Sequence, residues 1–268
     1  RPVDVRVDHV ALAGEPPTWL GWDQEGRAGF AEAVEAARAS EAAIVCVGTD
    51  ERIETEGRDR DALNLPGVQE DLVRAVVEAN PRTVVVLVSG GPVAVPPGLA
   101  PALLEAWYCG EAAGFAIADV LSGVANPSGR LPVTAYASAT DLPPFDSYDV
   151  RKGRTYRWAT KAPLYPFGFG LSYTTFVYRD LTVEPAGGGV RVRVAVANSG
   201  GRAGAEVVQV YRLDPGKALV DFRRITLAAG AVADVEFTLT LSGRGPVRLQ
   251  VGPDSSTGLT ASVPVPPR

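Results

Sequence analysis

The chain has 268 residues, of which 46% are hydrophobic and 21% are charged, a composition typical of a globular protein with room for one large or two ordinary domains. Its formal net charge of -5 and isoelectric point near 5.1 argue against a nucleic-acid partner or an anionic membrane surface. No apolar stretch approaches the roughly 20 residues that would cross a bilayer, so the sequence predicts a soluble chain, either cytoplasmic or secreted.

Residues 1–27 open with the alternating stretch VDVRVDHVAL, which predicts a strand, followed by a stretch rich in glycine, proline and tryptophan. We interpret these residues as the remnant of a preceding β-rich segment. The chain starts at Arg1 and contains no methionine, which indicates a processed protein or a piece of a longer one.

From residue 28 onward, helical and strand patterns alternate. FAEAVEAAR at 30–38 and LPGVQEDLVRAVVEAN at 65–80 have helical periodicity, as does EAAGFAIADVLSG at 111–123. Continuously apolar runs at 42–48, 83–91 and 102–108 predict buried strands. The run at 83–91 predicts a strand that is covered on both faces of the sheet. The expected fold class is therefore α/β, with a largely parallel sheet flanked by helices in an α/β sandwich.

The stretch DERIETEGRDRD at 50–61 follows the first of these strands directly. Ligands of such sheets bind beyond the carboxyl ends of the strands, and this charged loop occupies one of those ends, while SGGP at 89–92 occupies another. A solvated or salt-bridged structural loop is the alternative interpretation.

Past residue 125 the composition changes to proline, glycine and aromatic residues, and from Thr175 onward period-two alternation dominates. Short strands at about 10-residue spacing predict an all-β sandwich of roughly 100 residues, with the boundary near 170–178. Six aromatic residues of the first part and the connecting stretch are candidates for sugar platforms, but we expect them to pack at the domain junction: Trp107, Tyr156, Trp158, Tyr165, Phe167 and Phe169.

The residue types present in the chain limit the kinds of catalytic and metal site that it can form. Only two cysteines, Cys46 and Cys109, and one histidine, His9, are present, so we expect no disulfide framework, no metal site and no cofactor. Cys46 is predicted to be a small core residue. The sequence has no phosphate-binding glycine motif after its strands, and Ser89 lacks the G-x-S-x-G motif of a hydrolase. Acid/base chemistry must therefore rest on carboxylates.

Glu54 and Glu56 in the charged loop are the candidates for that chemistry. A carboxyl group that acts as a general acid must hold a proton near neutral pH, which requires burial or a neighbouring anion. Nearby arginines keep carboxylates ionised instead, so the local residues leave the choice between the two glutamates open.

The stretches VGTDERIETEGRDRDALNLPGVQEDLVRAV, NPRTVVVLVSGGPVAVP, EAWYCGEAAGFAIADVLSGVANPSGRLPVT and YPFGFGLSYTTFVY resemble the C-terminal half of glycoside hydrolase family 3, the β-glucosidase-type exo-hydrolases. The later NSGGRAGAEVVQVYRLDP and VGPDSS resemble the fibronectin type III-like domain of these enzymes. The resemblance implies three segments: 1–27, similar to the end of a PA14-like insert; 28–170, the α/β sandwich domain; and 171–268, the fibronectin type III-like domain.

The resemblance also implies a retaining, exo-acting mechanism on terminal β-D-glycosidic bonds. In the corresponding loop of the family, the acid/base maps onto Glu56, with Glu54 as runner-up. Arg58, Asp59 and Arg60 are candidate substrate contacts, and the alternative for Asp59 and Arg60 is a structural role in which they shape the loop through ion pairs. The aspartate nucleophile lies on an N-terminal barrel that these 268 residues lack, so we expect the chain to be inactive until it meets that barrel, in cis or in trans.

Two other functions stay open at this level. The first is a non-catalytic carbohydrate-binding or scaffolding module, and the second is a ligand-binding α/β receptor fused to an adhesion domain. A receptor of that kind would need a pocket built wholly within this chain.

Overall fold

The computed structural model of the protein describes residues 30–186, 189–241 and 245–264. The strand predicted within 1–27 lies outside these residues. The elements described below therefore begin with the helix at Phe30.

The first part of the chain is built on a three-stranded parallel sheet. Strands β1, β2 and β3 lie in the order β1-β2-β3 and have the bounds Ala43–Gly48, Thr83–Val88 and Ala102–Glu105. Helices α1, α2 and α3 have the bounds Phe30–Ala39, Gln69–Ala79 and Ala113–Leu121. The predicted α/β class with a parallel sheet is confirmed, although β3 ends earlier than the apolar run at 102–108.

One face of this sheet carries the core. Helices α1 and α2 pack against one face of the sheet. Alternate strand residues point to this face, among them Val45, Val47, Val85 and Leu87. In α2 the apolar residues Leu72, Val73 and Val76 are buried, as their spacing predicts for one helix face. Val85 and Val86 point to opposite faces of β2 and both are fully buried, which confirms that this strand is covered on both sides.

The prediction of a core role for Cys46 is wrong. Among the described residues β1 stands at one edge of the sheet, and on its second face Ile44 is 58% exposed and Cys46 is exposed as well. Helix α3 has no buried residue, so it does not cover this face in the way a second helical layer would. The apolar run at 42–48 did not distinguish a strand buried on both faces from an edge strand buried on one.

The second described part is a pair of antiparallel sheets. The four-stranded sheet has the order β10-β9-β6-β7 and the three-stranded sheet the order β4-β5-β8. The strands, in chain order from β4, are Phe176–Ala186, Gly189–Asn198, Gly204–Arg212, Ala218–Leu227, Val232–Leu239, Pro246–Gly252 and Leu259–Pro264. Alternating valines from both sheets meet in one core around Phe237 and Leu249, as period-two patterning predicts.

Between the two parts, residues 124–175 contain the short helix α4, Thr155–Trp158, and two 3-10 turns. A buried ion pair joins this segment to the β-sheets, with Arg130 Nη2 lying 2.7 Å from Glu206 Oε1. The Asn126 amide donates to the Ala203 carbonyl over 2.9 Å, and the Leu219 amide donates to the Tyr156 hydroxyl over 3.1 Å. These polar contacts therefore fix the connecting segment to the antiparallel sheets.

Candidate active site

The carboxyl ends of β1, β2 and β3 meet at one edge of the sheet because the strands are parallel and nearly in register. Thr49 follows β1, Ser89 and Gly90 follow β2, and Glu105 ends β3. The charged loop leaves the sheet at this edge. The sequence therefore placed the candidate residues at the edge where ligands of such sheets bind.

The charged loop is closed by a tight hairpin. Thr55 and Arg58 exchange backbone hydrogen bonds of 3.0 and 3.1 Å, which puts Glu56 and Gly57 at the turn. The Arg58 guanidinium donates to the carbonyls of Glu51 and Arg52, both over 2.7 Å. Glu56 is exposed, so this carboxylate is available to a group outside the chain.

Glu54 has a different environment from Glu56. One of its carboxylate oxygens lies 2.7 Å from Arg60 Nε, and the other accepts a 2.6 Å hydrogen bond from the Thr49 hydroxyl. The side chains of Arg60 and Glu54 are only 10% and 18% exposed. Arg60 Nη2 also donates to the Pro92 carbonyl over 2.8 Å, which ties the loop to the segment after β2.

The five predicted site residues thus divide into two groups. Glu54 and Arg60 form one ion pair at the sheet edge, whereas Glu56, Arg58 and Asp59 lie on the exposed hairpin. Both arginines bond to protein groups. Contact of Arg58, Asp59 or Arg60 with a ligand stays a prediction.

The glycines of the SGG stretch allow this close packing. A Cβ atom at Gly90 would lie 2.7 Å from Tyr108 Cε2 and 3.4 Å from Glu54 Oε1. The Ser89 hydroxyl donates to the Gly91 carbonyl over 2.8 Å, as expected of a tight turn after a strand. Any larger residue at Gly90 would push Tyr108 away from the loop.

Sequence reasoning missed Thr49, Tyr108 and Glu105 as members of this cluster. The Thr49 proton is donated to Glu54, so the Tyr108 hydroxyl, 3.1 Å away, must donate to Thr49 Oγ1. All three residues stand at or just after a strand end. That position is the one signal in the sequence that could have identified them.

Glu105 is the carboxyl group with the most perturbed proton affinity at this edge. Burial raises its pKa to about 7, against the weaker opposing effect of a hydrogen bond from the Trp107 amide, 3.1 Å from Oε1. Its ordinary value is 4.5. The folded chain therefore holds a proton on Glu105 at pH values where the unfolded chain has lost it.

We expect Glu105→Gln to change how stability depends on pH. Because the pKa of Glu105 is raised in the folded chain, its contribution to the free energy of unfolding is fully present below pH 4.5. That contribution is lost as the pH rises through about 7. A neutral glutamine keeps the acceptor oxygen and does not ionise. The variant should match the parent near pH 4.5 and exceed it by about 1–2 kcal/mol at pH 8, allowing for solvent screening of a partly exposed group.

Urea unfolding of both proteins at pH 4.5, 6 and 8 measures this difference. Glu111→Gln is the control, because Glu111 lies nearby in sequence and is exposed. Parallel stability curves for the parent and Glu105→Gln would contradict a neutral Glu105 in the folded state.

The aromatic residues near the boundary pack, as expected. Tyr156 stacks on Phe167 with ring centroids 4.5 Å apart and meets Tyr211 edge-on at 5.8 Å, and Tyr165 stacks on Phe169 at 5.3 Å. A cleft of about 500 Å³ between Arg60 and this cluster is lined mostly by apolar groups. The prediction that these rings pack is confirmed for Tyr156, Tyr165, Phe167 and Phe169, and Tyr156 joins the connecting segment to β6 through Tyr211.

The described residues contain neither a side-chain cluster suited to a metal ion nor a helix suited to span a membrane. No group of three or more histidine, cysteine, aspartate or glutamate side chains in that part of the chain is arranged to hold a metal ion. None of its helices has the length and apolar composition needed to span a membrane.

A family profile described as "Glycosyl hydrolase family 3 C-terminal domain" matches residues 7–173. Among curated proteins, a β-glucosidase of Rhizobium radiobacter is 40% identical over 233 residues, which cover 77% of this chain and 28% of the relative. A β-xylosidase of Formosa agariphila is 40% identical over 235 residues, which cover 81% of this chain and 32% of the relative. The chain thus spans about a third or less of these relatives.

Solved structures give the same pattern. The chain is similar to a Bifidobacterium adolescentis GH3 β-glucosidase with a TM-score of 0.82 and 33% identity, covering 95% of this chain and 42% of that one. It is also similar to DesR, a β-glucosidase of Streptomyces venezuelae solved with D-glucose, with a TM-score of 0.80 and 37% identity, covering 89% of this chain and 35% of that one. At these coverages the similarity extends beyond the parallel sheet into the antiparallel sheets.

Proposed function

The chain belongs to glycoside hydrolase family 3, and from that premise we propose that its charged loop supplies the general acid/base of a retaining, exo-acting β-glycosidase. The observation that carries this proposal is the exposed Glu56 at the turn of a loop whose base is fixed to the sheet edge by Arg60. A rigid base with an exposed carboxyl group at the turn suits a residue that must reach a substrate held by another domain.

We assign the acid/base role to Glu56 and keep Glu54 as the alternative. Glu54 is paired with Arg60 and accepts a hydrogen bond from Thr49, so both of its carboxylate oxygens are already engaged within the chain. No hydrogen bond or ion pair joins the Glu56 carboxylate to another residue in the described parts of the chain. Glu56 is therefore free to exchange a proton with a bound glycoside.

In this mechanism the acid protonates the departing glycosidic oxygen while a second carboxylate attacks the anomeric carbon. The acid's conjugate base then deprotonates the water that releases the sugar. The two carboxyl groups of a retaining enzyme stand about 5–5.5 Å apart. We propose that the second one is an aspartate on a barrel domain, with Arg58, Asp59 and Arg60 beside the substrate.

We propose the same domain boundaries as the sequence predicts, an α/β sandwich over 28–170 and a fibronectin type III-like sandwich over 171–268. Within the described residues of this range, seven strands in sheets of four and three around one core support the second assignment. The names of the relatives support terminal β-D-glucosides or β-D-xylosides as the substrate class. The acidic net charge favours neither nucleic acid nor membrane as a partner.

Reconstitution tests this proposal. The 268-residue chain alone should not turn over 4-nitrophenyl β-D-glucopyranoside, because it has no nucleophile for the glycosyl intermediate. A family 3 barrel that carries the nucleophilic aspartate should also be inactive alone, and the two together should regain activity. Turnover by the purified chain alone would contradict the proposal.

A different failure would point to another function. If the mixture stayed inactive and calorimetry detected glucose binding to the 268-residue chain, the chain would be a non-catalytic carbohydrate-binding module.

A further inference from the structure

A cleft of about 500 Å³ lies between the end of the charged loop and the segment that connects the two parts of the chain. Its apolar walls come from both of these regions and consist of Leu63, Pro92, Pro132, Val133 and Phe167. A cleft of this size is large enough for a small organic molecule. The acid/base role proposed for Glu56 leaves it without an assigned ligand.

The hydroxyl groups of the cleft have already accepted hydrogen bonds from the backbone. Three successive amides, those of Thr155, Tyr156 and Arg157, donate to the hydroxyls of Tyr136, Thr134 and Thr155 over 2.6, 2.8 and 3.3 Å. Within the described parts of the chain, none of these three hydroxyls donates its own proton to another residue. Each of them therefore retains an O–H donor for a ligand.

Arg60 forms another part of the wall, and its guanidinium has one nitrogen atom without a partner. Nε pairs with Glu54 over 2.7 Å and Nη2 donates to the Pro92 carbonyl over 2.8 Å. Nη1 is buried, and no residue that the structure describes accepts a hydrogen bond from it. Buried polar atoms of native proteins are nearly always paired, so this donor is one that a bound acceptor group would satisfy.

The charged side chains that line the cleft are both cationic. Besides Arg60 there is Arg157, which is exposed and donates from Nε to the Lys217 carbonyl over 3.2 Å. Glu54 balances the charge of Arg60, but no described aspartate or glutamate lines the cleft itself. The cleft thus combines apolar walls with hydroxyl and guanidinium donors.

The backbone of Thr155 is strained at this cleft. Its φ of 61° lies in the left-handed region, which is a genuine outlier for a β-branched residue. Strain of this kind persists only where the surrounding structure holds it, and it is common at ligand sites. Here the hydrogen bonds to Tyr136 and Thr134 hold it.

We propose that this cleft binds a carboxylate that is carried on an apolar, aromatic body. Ionised carboxylate oxygens only accept hydrogen bonds, so they match the free hydroxyl protons and the guanidinium groups. The aromatic body would pack against the prolines, Val133 and Phe167. A sugar matches less well because each of its hydroxyls brings a further donor, and inorganic phosphate matches less well because the walls are apolar.

A titration of the 268-residue chain with 2-naphthoate near neutral pH, followed by amide resonances, tests this site. We expect saturable shifts of the Thr155 and Arg157 amides with a dissociation constant on the order of 1 mM, as for a ligand of this size. The neutral analogue 2-naphthamide has the same shape but replaces an acceptor by a donor. It should bind at least about fivefold more weakly.

Two variants separate the hydrogen-bond donor from the charge. Tyr136→Phe keeps the ring, and Arg157→Gln removes a cation, so each should weaken 2-naphthoate by about threefold to tenfold and leave 2-naphthamide within about twofold. The matched control is Arg151→Gln, which changes the net charge equally. Arg151 lies outside the cleft and pairs with Asp149, so its removal should leave both titrations unchanged.

The site would be overturned if 2-naphthoate gave no saturable shift or if 2-naphthamide bound equally well. Equal weakening by Arg151→Gln and Arg157→Gln would also overturn it, since binding would then reflect net charge alone. Shifts of the same amides by glucose, and not by 2-naphthoate, would contradict the ligand class. The amide spectrum of each variant reports whether the fold is kept, and the comparison of the two ligands on the parent needs no variant.

Failure of this test leaves the proposed function intact, because that function is measured by reconstitution with a barrel. Conversely, an inactive reconstituted mixture would not affect a carboxylate site that the isolated chain displays.

Discussion

We expect Glu56→Gln, tested in an enzyme that combines this chain with a family 3 barrel (the barrel-containing enzyme), to lower kcat/KM for a disaccharide by about 10²–10⁴-fold. The expected loss is large because a sugar alkoxide is a poor leaving group and needs a proton in the transition state. A dinitrophenyl glucoside leaves as a stable anion, so its kcat/KM should change by less than about tenfold. Steady-state kinetics on the two substrates measure the ratio.

The matched control is Glu54→Gln. If Glu56 is the acid, the Glu54 variant should affect both substrates to a similar extent, because it loosens the loop through Arg60 and Thr49. An equal loss on both substrates for Glu56→Gln, with a selective loss for Glu54→Gln, would transfer the role to Glu54.

Replacing Arg130 with methionine should destabilise the chain by about 3–5 kcal/mol, since it leaves a buried carboxylate without its cation. Arg130 and Glu206 are 8% and 4% exposed, and 2.7 Å separates their charged atoms. Burial raises the pKa of Glu206, and Arg130 opposes that effect. The loss should therefore be smaller at pH 5, where Glu206 of the variant can take up a proton, than at pH 8.

Urea unfolding of Arg130→Met, with Arg193→Met as the control, measures this loss. Arg193 pairs with Glu236 over 2.6 Å, but both side chains are exposed, so its removal should cost no more than about 1 kcal/mol. The double variant Arg130→Met with Glu206→Met should recover most of the loss, because no unpaired charge remains. Similar losses for Arg130→Met and Arg193→Met would contradict a special role for the buried pair.

The local spacing of apolar residues was sufficient to predict the main helices and strands. Valine-rich runs predicted β1 and β2, the spacing of Leu72, Val73 and Val76 predicted α2, and alternation from Thr175 onward predicted the antiparallel sheets. These predictions succeeded because burial of one face dictates the period of the sequence. The position of the charged loop followed from the rule that ligand-binding loops leave a parallel sheet at its carboxyl edge.

Features that depend on contacts between distant residues were not predictable. The exposure of Cys46 depends on which strand stands at the sheet edge, and an apolar run does not specify strand order. The cluster of Thr49, Tyr108 and Glu54 joins residues up to 59 positions apart. Whether Arg60 pairs with Glu54 or with Glu56 is likewise a matter of loop geometry, which the charges alone leave open.

Rescue by azide tests the assignment of the acid/base most directly. In Glu56→Ala of the barrel-containing enzyme, a dinitrophenyl glucoside should still form the glycosyl intermediate, but water should attack it slowly without a general base. Azide needs no base, so it should raise kcat and yield β-glucosyl azide, while Glu54→Ala should show no such product. Formation of β-glucosyl azide by Glu54→Ala, and not by Glu56→Ala, would contradict the account.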